Sequence, residues 1–259
     1  MKRTILTGVL VLAAVVPAMA DMKVKSKAEA EAVQAMVAAE SQGPDAIIAA
    51  VEALLAKFAD TQFKQVALLA EATAYQQKKD YASAELTNER VLEIDPMTPQ
   101  AAMQLGEAIT AHVGENDLDK EERLTKAEKS LNRAVANIDN KPSEGMTDEA
   151  WAGAKKFTLA MAENDLGLVA MMRKNYPAAA AAFKLAVDSD PQPAFQVRLA
   201  LADQKSGKND DALALCDQLL ADPQLHPAIK RIAVNVKAAA KAAKAAPAAP
   251  AAPATPAAK

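Results

Sequence analysis

The sequence predicts an all-α protein, built helix after helix along the chain. Three observations point there: strand-like alternation is absent, apolar residues recur at helical spacing, and proline-containing dipeptides punctuate the chain. Composition agrees. Hydrophobic residues make up 51% of the chain, but many are alanine and aromatics are only 3%, so the helices must pack closely through small side chains. A sheet would require more Val, Ile, Thr and aromatic residues.

The N-terminus reads as an export signal. Lys2 and Arg3 precede an apolar run over residues 5–16, Pro17 breaks it, and Ala18-Met19-Ala20 is an A-x-A cleavage site. The expected organisation is a cleavable signal peptide over residues 1–20, a helical repeat domain over 21–245 with a capping helix at its end, and a disordered Ala/Pro-rich tail over 246–259. Cleavage after Ala20 would place the mature chain in a periplasmic or secreted setting. The apolar run is too short for a comfortable membrane span, and no later segment is apolar enough, so no integral membrane segment is expected after cleavage.

The body is helix after helix. Ile47, Ile48, Val51, Leu54, Leu55 and Phe58 form one face of a helix that Gly43-Pro44 starts. Asp95-Pro96, Thr98-Pro99, Lys141-Pro142, Asp190-Pro191, Asp222-Pro223 and His226-Pro227 mark further boundaries, because a residue before proline is pushed out of helical geometry. Pro227 should begin a last helix with Ile229, Ile232, Ala233 and Val236 on one face and lysines mostly elsewhere, a polar-backed end for an open array.

Two segments align with each other: Tyr81, Ala84, Asn88, Val91 and Asp95-Pro96 with Tyr176, Ala179, Phe183, Ala186 and Asp190-Pro191. Upstream of them stand Ala72 with Tyr75, and Leu166-Gly167. Leu105-Gly106 opens a third unit, continued by Leu124, Ala127, Leu131 and Ala134. Leu199-Ala200, Gly207, Ala212, Cys216 and Leu219 make a fourth, and Ala50 with Leu54 hint at a degenerate one before the first. On these residues the chain resembles the tetratricopeptide repeat family, whose unit is about 34 residues of two antiparallel helices. The resemblance covers residues 31–224 and implies a right-handed superhelix of antiparallel helix pairs, an α-solenoid. Residues 112–122 lengthen one inter-helix turn. Residues 142–159 are extra, and should extend a helix backward from Thr147, its N-cap.

The resemblance also implies a concave protein-binding groove lined by first helices. Carried over, it comprises Val66, Leu69, Thr73, Gln76 and Gln77; Gln100, Met103 and Glu107; Met161, Asn164, Leu168, Met171 and Met172; and Val197, Leu201, Gln204 and Lys205. The alternative for Met161, Leu168, Met171 and Met172 is simple packing against neighbouring helices.

Nothing in the sequence announces catalysis. There are two histidines and one cysteine, so neither an intramolecular disulfide nor a His/Cys zinc cluster is expected. Phosphate-loop, dinucleotide and nucleophile-elbow motifs are missing. Cys216 reads as a small buried hydrophobe, His226 as a turn or cap residue and His112 as a solvated loop residue. The acidic stretch 115–121 has Lys120 where a calcium loop needs glycine, and reads as a charged turn. Asp210-Asp211 fits a helix start. A net charge of −3, or −5 without Lys2 and Arg3, gives no reason to expect nucleic acid.

The expectation is therefore a non-enzymatic scaffold or adaptor without cofactors, binding cell-envelope proteins through its groove. The stretch 54–61 is similar to tetratricopeptide proteins of outer-membrane assembly and Tol-Pal systems. The alternative is a self-assembling structural protein, a homo-oligomer held at the cell wall through its Ala/Pro/Lys tail.

Overall fold

The computed structural model describes residues 23–140 and 147–245. The expected signal peptide, the Ala/Pro tail and the Lys141-Pro142 boundary lie outside the described residues. Among the described residues the chain forms eleven α-helices, a 3-10 turn over Glu40–Gln42 and no strand. The helices are α1 (Lys27–Ala39), α2 (Pro44–Lys57), α3 (Lys64–Gln77), α4 (Tyr81–Ile94), α5 (Pro99–His112), α6 (Lys120–Ala136), α7 (Asp148–Met172), α8 (Tyr176–Ser189), α9 (Pro193–Lys205), α10 (Asn209–Leu220) and α11 (Pro227–Ala245).

Each helix packs on the next, which gives the antiparallel pairs α1/α2, α3/α4, α5/α6, α7/α8 and α9/α10, with α11 closing the row. The first helices also reach past their partners: α3 touches α5, α5 touches α7, and α9 touches α11. Next-nearest neighbours meet only along the inner, shorter radius of a curved stack, so the odd-numbered helices form the concave wall of an α-solenoid.

Local chemistry explains the hairpins. Lys79, Lys174 and Gly207 occupy the same place after α3, α7 and α9, and all three have positive φ (60°, 60° and 86°). In each case the following amide reaches back to close the helix: Asp80 to the Tyr75 carbonyl at 2.9 Å, Asn175 to Ala170 at 2.9 Å and Lys208 to Asp203 at 2.8 Å. Asp80 and Asn175 then cap the next helix by accepting from the Ser83 and Ala178 amides. At the Asp-Pro exits, Asp95 accepts from the Met97 amide at 2.9 Å and Gln65 of α3 donates to Thr98 at 2.9 Å, which pins the turn to the pair it leaves.

Packing within pairs follows a small-against-large rule. A Cβ on Gly106 would overlap the side chain of Leu131, and one on Gly167 the ring of Phe183. Where alanine takes the glycine's place, the aligned residue on the second helix is Asn88 for Ala72 and Cys216 for Ala200, both smaller than Phe183. Cys216 is a free thiol with no exposed surface, as the sequence implied.

Most punctuation stands where the sequence placed it. Gly43 (φ 104°) and Pro44 open α2, and Ile47, Ile48, Val51 and Leu54 are buried. Thr147 caps α7, accepting from the Ala150 amide at 3.2 Å. His226 Nδ1 accepts from the Ala228 amide at the start of α11, and Asp210 and Asp211 lie in the first turn of α10. Two expectations need correction. His112 is not a solvated loop residue: it ends α5, stacks on Tyr81 (centroids 6.2 Å apart, planes 12° apart) and sits against Arg123 of α6. Its place at the last residue of α5 carries the ring over Tyr81 of α4. Ile232 is 39% exposed, because α11 buries only Ala233, Val236 and Ala240, small residues set closer to α9 and α10.

Candidate interaction surface on the concave wall

The residues predicted to line the groove divide by burial. Val66, Thr73, Met103, Asn164 and Val197 are buried between helices. Leu69, Gln76, Gln100, Glu107, Met161, Leu168, Met171, Met172, Leu201 and Gln204 are half-buried, and Gln77 and Lys205 are exposed. Several of the half-buried apolar residues also pack on the core: Leu69, Met161 and Met172 on the central cluster, Leu168 and Met171 beside Phe183, and Leu201 beside Cys216.

A polar spine runs from one first helix to the next. Thr73 of α3 accepts from Gln104 of α5 at 3.0 Å. Gln76 donates to the Gln104 carbonyl and to Glu107, both at 3.2 Å. On α7, Asn164 donates to Asp165 at 2.9 Å, and Arg198 of α9 donates to Asn164 at 2.6 Å. These bonds tie α3 to α5 and α7 to α9 with groups that an apolar wall would not contain.

Its electrostatics follow from burial. Loss of water raises the Glu107 carboxyl above its ordinary range, and the hydrogen bond from Gln76 opposes this only partly. Asp165 is driven up well above it, first by burial and then by the charge of Glu107; Arg198 and Asn164 pull the other way. Arg198 is in turn lowered by burial, with Asp165 opposing. One outer oxygen of Asp165 and the amide oxygen of Gln104 have no hydrogen-bond partner.

The sequence reading found Thr73, Gln76, Glu107 and Asn164 but missed Gln104, Asp165 and Arg198. These three fall at one register, two residues before Gly106, Gly167 and Ala200. Polar residues at one register of three successive apolar helices were the available signal. Among the described residues no group of three or more His, Cys, Asp or Glu is arranged to hold a metal ion. Likewise no described helix is long and apolar enough to cross a membrane.

Solved structures with a similar fold exist. The crystal structure of a thermophilic TPR protein in Thermus thermophilus superposes with a TM-score of 0.53 at 20% identity, covering 82% of this chain and 98% of that one. The fold is that of a tetratricopeptide repeat protein. Neither a family model nor a curated protein matches the sequence. At this identity the likeness concerns the fold alone, and a tetratricopeptide solenoid is a platform whose use depends on its surface.

Proposed function

We propose that the protein is a non-enzymatic scaffold that holds a segment of another protein against its concave wall, in the periplasm and among cell-envelope proteins. The observation that supports this most directly is the wall itself. Half-buried Leu168, Met171, Met172 and Leu201 offer an adaptable apolar surface, and the polar spine beside them offers hydrogen-bonding groups in a fixed order. Methionines suit a surface that must fit varied apolar side chains. The signal-like N-terminus motivates the location, and the similarity of residues 54–61 to envelope tetratricopeptide proteins motivates the choice of partner.

Photo-crosslinkers at the exposed positions Gln77 and Lys205 test this in cells, with mass spectrometry of the captured material. Reproducible capture of an envelope protein from both positions, lost when Met171 and Met172 are both changed to Glu, is the expected result. Crosslinks only to a second copy of the chain, or to wall-linked material, would overturn it in favour of the self-assembling structural protein held through its Ala/Pro/Lys tail.

A further inference from the structure

The convex side carries a second feature, unrelated to the concave wall. Between α2 and α4, with α3 as its floor, lies a cleft of about 620 Å³. Its floor is Glu71 and Tyr75, and its walls include Glu52 and Leu55 of α2 and Leu86 and Glu93 of α4. The repeats themselves supply the control. The residue immediately before the small contact residue is leucine in three units, Leu105, Leu166 and Leu199, and glutamate only here. An apolar helix position has therefore been given to a carboxylate.

That carboxylate is poorly served. Glu71 is 4% exposed, its Oε2 accepts no hydrogen bond, and Arg90 of α4 stands off at 3.6 Å with half its side chain in water. Burying a charge without close partners is costly, and burial pushes the Glu71 carboxyl up; the charge of Arg90 opposes this only in part, and Glu52 adds to the push. The neighbouring cleft, between α4 and α6, is built differently. There Leu105 lies on the floor and walls of opposite sign close on each other, Lys126 reaching Glu89 at 2.6 Å and Glu85 at 2.6 Å. In the α2/α4 cleft, Glu52 and Glu93 put acids on both walls, and Arg90, the one cation among its lining residues, stays beyond hydrogen-bond distance of Glu71.

We propose that this cleft is a docking site for an arginine or lysine side chain of a partner polypeptide, with Glu71 as its buried anchor. The aliphatic stem would lie along Leu55, Tyr75 and Leu86, the last 64% exposed, and the cationic head would give Glu71 the hydrogen bonds it lacks. Glu52 and Glu93 at the rim would draw the cation in. Nothing in this reading depends on the concave wall.

The test uses the full chain and two fluorescein-labelled hexapeptides, Ala-Leu-Arg-Leu-Ala-Ala and the same peptide with citrulline, arginine's neutral isostere, read by fluorescence anisotropy. The expected result is a preference of at least about tenfold for the arginine peptide. It should vanish in Glu71→Leu and Glu71→Gln, both checked for unchanged helicity, and persist in Glu31→Gln, which removes an exposed carboxylate outside the cleft. Equal binding of the two peptides by the unchanged chain, or a preference that survives Glu71→Gln, would overturn the proposal. Sedimentation velocity separates the remaining occupant: concentration-dependent self-association abolished by Glu71→Gln would assign the cleft to a second copy and overturn it as well.

Discussion

The helix pairs α3/α4 and α7/α8 share one hairpin, down to the positive-φ lysine and the side-chain cap that follows it, yet they are filled differently. In α7/α8 the aligned positions hold Leu166, Gly167, Phe183 and Leu185; in α3/α4 they hold Glu71, Ala72, Asn88 and Arg90. The Phe183 ring seals its pair against a glycine, with 1% of its surface exposed. Asn88 is equally buried, but spends one amide group on the Ala84 carbonyl at 2.9 Å and leaves its oxygen unpartnered. Backbone turns and a small contact residue are thus enough to specify the pair. What fills it is free to vary, and polar filling leaves buried groups without partners.

Several experiments would break or sharpen this contrast. The largest effect should come from Phe183→Ala, which empties the apolar pair and is expected to cost about 3–5 kcal/mol in denaturant unfolding. Gly167→Ala should cost roughly 1–3 kcal/mol, because the ring cannot retreat from the added methyl. The double variant should cost clearly less than the two singly, since the cavity accepts the methyl. Additive losses would mean that the small-against-large rule does not hold this pair together.

In the polar pair, substitution should run the other way. Glu71→Leu, which installs the residue of the other three units, should stabilise the chain by about 1 kcal/mol at neutral pH. Arg90→Leu should destabilise it, because it strips the buried carboxylate of its one counter-charge. A destabilising Glu71→Leu would make the glutamate a structural element of the pair.

Acidity provides a third comparison. Burial raises the carboxyls of Glu71, Glu107 and Asp165, so the folded chain holds protons that the unfolded chain has released. Their contribution is full below the ordinary carboxylate range and is lost as pH rises through the folded values. The unfolding midpoint should therefore be higher at pH 5.5 than at pH 7.5, and Asp165→Asn should flatten the difference. Asp60 and Glu115 are lowered by Lys25 and Lys120, and their contributions decline only under more acidic conditions. The smallest effect is expected at the hairpins. Lys79→Gly and Lys174→Gly each relieve a left-handed lysine and should stabilise by under about 1 kcal/mol, part of the gain being offset by the glycine's freedom in the unfolded chain.

Much of this architecture was legible residue by residue. Proline dipeptides marked where helices stop because the constraint is local, and Thr147 and His226 were readable as caps for the same reason. Cys216 followed from its apolar helical neighbours. His112 did not, since its burial depends on Tyr81 and Arg123 arriving from other helices. The groove was legible in outline, through positions taken from the repeat pattern, but its polar spine was not: Gln104, Asp165 and Arg198 are far apart in sequence and matter only once stacking aligns their register.

By itself, then, the sequence determined helix boundaries, pair spacing and the solenoid class, all consequences of short-range backbone chemistry and of periodic small and large residues. The tertiary structure alone decided which polar groups meet. Stacking brings Asp165 under the influence of Glu107 and leaves Glu71 at the floor of a cleft with acids on both walls, and the free energy of a buried charge depends on neighbours that the chain order does not name.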